Sequence, residues 1–183
     1  KNNKNIFNNN SKKGSKYLLR AISGCLESMQ DSTLIFAPNH NSYNRFTAGA
    51  HAPTIINWGY ENRTTAIRVP GGPNIAKRIE HRVAGGDANP YLVLTAILGA
   101  ALNGMESKID PPKSIGGNGY ESNGNTIIKD WKLAIERFTG SQEIKKIFDP
   151  LLIRSFVDCK NQEFNYFKEK SYNEIIQTTI NAL

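Results

Sequence analysis

Between positions 41 and 91 the chain gathers side chains suited to holding anions. Arg45, Arg63, Arg68, Arg78 and Arg82 lie there with Lys77, against only Glu61, Glu80 and Asp87 as carboxylates. A guanidinium offers a planar fork of donors that fits carboxylate and phosphate oxygens two at a time. In Arg78-Ile79-Glu80-His81-Arg82, strand alternation puts Arg78, Glu80 and Arg82 on one face and Ile79, His81 and Val83 on the other. Such a row is costly to bury unless something pairs with it. A polyanion on the arginines, and a hard divalent cation such as Mg²⁺ or Mn²⁺ on Glu80, would resolve that cost. The plainer alternative is an exposed, salt-bridged strand in which Glu80 only neutralises its neighbours. Arg63 and Arg68 on the preceding strand region, Arg45 in the loop before it and the Gly/Pro turns nearby shift the weight. They suit charge stabilisation in phosphoryl transfer, where positioning and electrostatics do most of the catalysis.

The elements that position these groups follow from pattern. Residues 1–13 are polar and rich in Asn and Lys, an irregular start. Leu18, Leu19, Ile22, Leu26 and Met29 keep helical spacing and predict a helix from Ser15 to about Met29. Thr33 to Phe36 is a short apolar run ended by Pro38, and residues 37–54 read as an irregular loop. Strands are expected at Thr54–Tyr60, Thr64–Val69 and Ala76–Val83, the last two separated by Pro70-Gly71-Gly72-Pro73. Asn89-Pro90 is a cap followed by a first-turn proline. The helix it opens, to about Met105, is apolar nearly all round, which predicts a place in the core. Residues 107–126, rich in Gly, Pro and Asn, read as a surface loop. A short helix is expected from Lys129 to about Phe138. Asp149-Pro150 then opens a final helix with Ile153, Phe156, Val157, Phe164, Phe167, Ile175 and Ile176 on one stripe, breaking near Ser171. This is an α+β unit: a few antiparallel strands flanked by helices, with a helical C-terminus. Three strands cannot close a barrel, so the sheet needs strands from elsewhere.

Composition narrows the partners. The 183 residues fit one domain, and 23 Lys+Arg against 16 Asp+Glu give +7, which favours anionic ligands. No apolar run is long enough to span a membrane; the nearest is Pro90 to Leu102. Cys25 and Cys159 make neither a disulfide framework nor a zinc site and suit a reducing compartment, here the cytoplasm. Asn-x-Ser/Thr at 9–11 and 62–64 reads as chance. P-loop, GxGxxG, HExxH and GxSxG patterns are missing. The start at Lys1-Asn2-Asn3, without Met, suggests the tail of a longer protein. Trp58 and Tyr60 read as packing residues, His40 as a loop residue and His81 as a core histidine.

Four segments carry a resemblance. Asn41-Ser42-Tyr43-Asn44-Arg45, Asn62-Arg63-Thr64-Thr65-Ala66-Ile67-Arg68-Val69-Pro70, Arg78-Ile79-Glu80-His81-Arg82 and Ala88-Asn89-Pro90-Tyr91 resemble the glutamine synthetase family, in the C-terminal half of its catalytic domain. They occur in that family's order and approximate spacing. The likeness is clear over about residues 14–106 and looser beyond. It implies that residues 1–183 are the C-terminal part of that domain, without its first half or the N-terminal β-grasp domain.

It further implies a carbon–nitrogen ligase that uses ATP and Mg²⁺ or Mn²⁺. L-glutamate is phosphorylated on its γ-carboxylate, and ammonia or an amine then displaces phosphate. By motif match Arg45 and Arg82 hold glutamate's carboxylate or the transferring phosphoryl group. Arg63, Arg68 and Arg78 contact ATP phosphates, Arg63 with a catalytic role, and Glu80 is a metal ligand. A large homo-oligomeric ring with sites between subunits is implied for the full-length protein. So is inactivity of this chain alone, since most metal carboxylates lie upstream.

Three departures from the family pattern matter. Ammonia-using members carry Gly-Tyr-Glu-Ala-Pro where this chain has Gly49-Ala50-His51-Ala52-Pro53. His51 can serve as a base near neutral pH, but it does not attract ammonium as a carboxylate does. That favours an organic amine, as in the γ-glutamyl-polyamine, -alkylamine and -ethanolamine synthetases. A lysine often found three residues before the Arg78 position is Ile75 here. The upstream metal ligands are absent. Two other readings compete: a basic nucleic-acid-binding module, which steeply salt-dependent binding would reveal, and a non-catalytic family member. The arginines cluster in a strand-and-turn segment and not along one exposed helix, which argues against nucleic acid, and the set is intact, which argues against a non-catalytic member; a membrane is not an expected partner either.

Overall fold

The computed structural model describes residues 4–47 and 49–180. Ser15 opens the first helix by accepting the Leu18 N–H at 3.3 Å, and α1 runs Lys16–Glu27 with Leu18, Ala21, Ile22 and Cys25 buried. A single apolar turn, α2 (Thr33–Phe36), is buried entirely. The irregular start holds for residues 4–13; residues 1–3 lie outside the described part.

Three short strands follow: β1 (Trp58–Tyr60), β2 (Ile67–Val69) and β3 (Glu80–His81). All are shorter than the sequence suggests, and just before β2 a side chain takes over the bonding. There the Asn57 side-chain Oδ1 accepts the Ala66 N–H at 3.1 Å. β2 and β3 pair antiparallel as expected, with Arg68 opposite Glu80. β1 and β2 run parallel, because residues 61–66 loop back and re-enter the sheet in the same direction. Cross-strand partners share a face. Trp58, Tyr60, Ile67, Val69 and His81 therefore look one way, and Gly59, Arg68 and Glu80 the other. His81 packs on Phe36 with ring centroids 4.6 Å apart, but its Nδ1 is buried without a partner among the described residues, so it is not a satisfied core histidine; burial pushes its pKa down to about 4.

Asn89 caps α3 (Pro90–Ser107), its side chain accepting from the Tyr91 and Leu92 N–H groups. α3 crosses α1 where Gly24 faces Gly104. A Cβ added to Gly24 would stand 2.7 Å from the Gly104 nitrogen, so the two backbones meet with no side chain between them. The prediction of a core helix is corrected here. Ala96, Ala100, Ala101 and Gly104 are buried, but Tyr91, Leu94, Leu98 and Leu102 are each more than half exposed. Apolar sequence all round does not say which face finds a neighbour, and small residues decide it by letting α1 approach.

A second correction concerns residues 107–126. They do not hang free as a surface loop but strap the outer edge of β1. Ile115 donates its N–H to the Trp58 carbonyl at 2.8 Å, and the Trp58 indole donates to the Pro112 carbonyl at 2.7 Å. Ile55 and Thr126 close the strap with an antiparallel bridge. The rest is helical: α4 (Trp131–Gly140), α5 (Gln142–Ile147), α6 (Pro150–Phe167) and α7 (Tyr172–Ile180). α5 has no counterpart in the sequence reading. Ser141 opens it by accepting the Ile144 N–H at 3.1 Å. The expected break near Ser171 is present, its hydroxyl bonding Glu174 at the start of α7. Cys25 is buried, Cys159 exposed, and both are free. Among the described residues no helix is long and apolar enough to cross a membrane.

Candidate functional site

The polar face of the sheet carries an Arg–Glu–Arg group, built differently from the row expected. Glu80 accepts from Arg68 at 3.1 Å through one oxygen and pairs with Arg82 at 3.3 Å through the other. Arg78 takes no part: it is exposed and donates to the Ala76 carbonyl at 3.3 Å. β3 begins only at Glu80, so alternation does not extend back to Arg78, and the β2 register supplies Arg68 instead. Arg82 is also fixed by donating to the Thr65 carbonyl at 3.0 Å. The Arg68 Nε is buried and has no partner among the described residues. An orphaned guanidinium donor is an invitation to an anion. The Glu80 side chain is 38% exposed, open enough for a ligand to reach.

Arg63 projects from the loop between β1 and β2 and is exposed. Its neighbours hold that loop firmly. The Asn62 side-chain Oδ1 accepts from the Thr64 N–H at 2.9 Å and the Thr64 hydroxyl at 2.6 Å, an Asx-type turn. The Asn62 amide donates to the Ile115 carbonyl at 3.1 Å and the Gly117 carbonyl at 2.8 Å. Thr64 in turn accepts the Gly119 N–H at 2.7 Å. Gly59 makes this fit possible, since a Cβ there would lie 2.5 Å from the Ile115 oxygen.

Arg45 sits at the end of a 3₁₀ turn over His40–Arg45, opened by reciprocal bonds between Asn39 and Ser42. It donates to the carbonyls of Phe36 and Val83 and lies over the Phe46 ring. Burial lowers its pKa, and Asp87 opposes that shift. Its Nε is buried and unpartnered among the described residues. Asp87 is anchored by Ser42 and by Asn39 at 3.2 Å. Sequence reading named Asp87 only as a scarce carboxylate; the Asn39-x-x-Ser42 cap was the signal that this turn is built.

His51 stands apart. It is exposed, with φ +59°, and makes no hydrogen bond or ion pair to another described residue. Ile75 is also exposed. For a phosphate-bearing ligand the residues fit: two orphaned guanidinium nitrogens and two exposed arginines are present. For a metal they do not suffice. Among the described residues no three His, Cys, Asp or Glu side chains gather, and Glu80 is the one carboxylate on this face, held between two arginines.

Comparison with known proteins fits this geometry. Residues 1–178 match the family model described as glutamine synthetase, catalytic domain. Gamma-glutamylputrescine synthetase PuuA of Escherichia coli is 34% identical over 164 residues, 90% of this chain and 35% of that protein. Gamma-glutamylethanolamide synthetase GlnA4 of Streptomyces coelicolor is 33% identical over 146 residues, 80% of this chain and 31% of that protein. A glutamine synthetase of Thermococcus kodakarensis is 32% identical, with 87% of this chain and 36% of that protein covered. The chain thus spans about a third of the length of these relatives. Among solved structures, apo GmaS without ligand matches with a TM-score of 0.80 at 24% identity, covering 96% of this chain and 41% of that one, a likeness of fold.

Proposed function

This chain belongs to the glutamine synthetase catalytic-domain family, and we propose that its protein is a carbon–nitrogen ligase joining L-glutamate to an organic amine at the expense of ATP. The observation that carries the reading is the Glu80 group with an unpartnered Arg68 Nε beside it and the braced Arg63 loop next to it. In the first step a glutamate γ-carboxylate oxygen attacks the γ-phosphorus of ATP, and ADP leaves. Arg63, Arg68 and Arg78 hold phosphate oxygens and offset the charge that builds on them. Arg45 and Arg82 hold the glutamate carboxylate. In the second step the amine attacks the γ-glutamyl carbonyl carbon, the C–O bond to phosphate breaks and phosphate leaves. His51 accepts the proton that the amine sheds. Glu80 would offer one carboxylate to a Mg²⁺ or Mn²⁺ ion, which would offset charge on the phosphates.

The names of two relatives specify putrescine and ethanolamide chemistry for those proteins, and His51 in place of a carboxylate supports an amine here. Assembly into a large ring, with sites shared between subunits, goes with this reading. So does the cytoplasm, which supplies ATP and keeps Cys25 and Cys159 reduced. The nucleic-acid alternative gains nothing from the geometry, since Arg45, Arg68 and Arg82 direct donors to Glu80 and to backbone carbonyls inside the fold. The test is a panel of amines with the full-length protein, glutamate and Mg-ATP, following phosphate release. An organic amine is expected to outcompete ammonia; preference for ammonia over every amine overturns the role given to His51. The 183-residue chain by itself is expected to form no γ-glutamyl product.

A further inference from the structure

Two lysines of this chain are buried, and they are treated differently. Lys160, 8% exposed, holds Glu163 at 2.7 Å. Lys77, 7% exposed, has no carboxylate within ion-pair distance among the described residues. Its ammonium donates to the Lys12 carbonyl at 2.9 Å, a neutral acceptor that uses one donor of three. A cation withdrawn from water without a counter-charge is costly, and an anion nearby removes the cost.

Lys77 lines a cleft of about 490 Å³ with Lys12, Lys13, Tyr60, Glu61 and Asn74. That volume lies within the roughly 300–1,000 Å³ usual for small-molecule sites. Val69 and Tyr60 form part of its wall, so it opens on the sheet face opposite Arg68 and Glu80 and is separate from the site above. The wall is set: the Tyr60 hydroxyl donates to the Lys13 carbonyl at 2.9 Å, and the Asn5 amide donates to the Lys77 carbonyl at 2.7 Å. Glu61 is the one carboxylate in the lining. It makes no ion pair with Lys77; its N–H is bonded to the Val69 carbonyl at 2.9 Å and its carboxylate lies against Gly71.

We propose that this cleft binds a small multivalent anion bearing phosphate or several carboxylates, with Lys77 at its centre and Lys12 and Lys13 at its mouth. The inference does not depend on the ligase reading. Calorimetric titration of the full-length protein with inorganic phosphate, and separately with citrate, tests it and tells the two chemistries apart. At least one should bind, with affinity falling as salt rises. Lys77→Gln should weaken that binding roughly tenfold or more, as should Lys12→Gln with Lys13→Gln, whose exposed side chains can be changed without threatening the fold. Arg68→Gln should leave it intact, and Glu61→Gln should tighten it. Binding of neither anion overturns the proposal. So does binding lost in Arg68→Gln but kept in both lysine variants. So does a fall in Tm with no gain in anion affinity in Glu61→Gln, which would make Glu61 the counter-ion of Lys77.

Discussion

The loop that carries Arg63 and the loop that carries His51 are both irregular and both expose their functional residue, yet they are held in opposite ways. Asn62 and Thr64 tie the first to its own turn and to the strap over β1 through bonds of 2.6 to 3.1 Å. Around His51 the second has only bonds within itself among the described residues, from the Thr47 hydroxyl to the Asn44 carbonyl and from the Ala50 N–H to the Thr47 carbonyl, and it is tied to the fold only at its end, where the Thr54 carbonyl accepts the Ile127 N–H at 3.0 Å. A group that must meet a transition-state charge gains from being fixed in advance. A group that must admit amines of different shape gains from a loop that can adjust. The two loops divide the proposed chemistry in that way: the phosphate end is braced, and the acceptor end is open.

The largest expected effect strikes the braced face directly. Glu80→Gln keeps the shape but removes the charge between Arg68 and Arg82, and turnover of the full-length protein should fall between about a hundred- and a thousandfold. Phosphate release with saturating substrates measures it, and wild-type rates would remove Glu80 from the site. Next comes the other side of the same strand. His81 is neutral in the fold, with its pKa lowered from 6.5 to about 4, so the unfolded chain takes up its proton first as pH falls. The stability it contributes is complete above about pH 6.5 and is lost as pH drops toward 4, about 3 kcal/mol in all. Urea unfolding across that range should show the slope, and His81→Leu should flatten it.

Asn62→Ala should then cost about 2 kcal/mol of stability and about tenfold in kcat, because it frees the strap and Arg63 together. Asn62→Asp, which keeps the turn-forming oxygen but not the donors to the strap, should recover part of the stability. If kcat is untouched in Asn62→Ala, the bracing has no part in catalysis. The smallest effect on stability is expected at the open loop. His51→Ala should leave stability unchanged within about 0.5 kcal/mol. Turnover should fall about a hundredfold with every amine, because the proton acceptor is gone. Unchanged turnover with the best amine would remove His51 from proton transfer.

Much of this was legible in the sequence, for physical reasons. Asn89-Pro90, Asp149-Pro150 and the break at Ser171 announce helix ends because capping is local chemistry, readable over a few residues. The arginine set is legible because its charges have few carboxylates to answer them. That Arg68 and not Arg78 stands beside Glu80 was not legible, since it depends on where β3 starts and on its register with β2. The strap was hidden because its bonds to Trp58, Asn62 and Thr64 join segments about fifty residues apart, while its own composition says only that it is not a helix. The exposed stripe of α3 was hidden because hydropathy reports what a helix would bury, not what lies next to it.

The contact of Gly24 with Gly104 reaches further than packing. Asn89, the cap of α3, comes two residues after Asp87, and Asp87 stands beside Arg45 through the turn that Gly85 begins. A methyl group at the crossing has no room, so Gly104→Ala is expected to push α3 away from α1 and, because α3 follows directly on the Asp87 turn, to loosen the hold on Arg45 as well. Two positions with no side chain would then bear on a guanidinium that neither of them touches, and a Gly104→Ala variant of lowered Tm but unchanged glutamate affinity would separate the two.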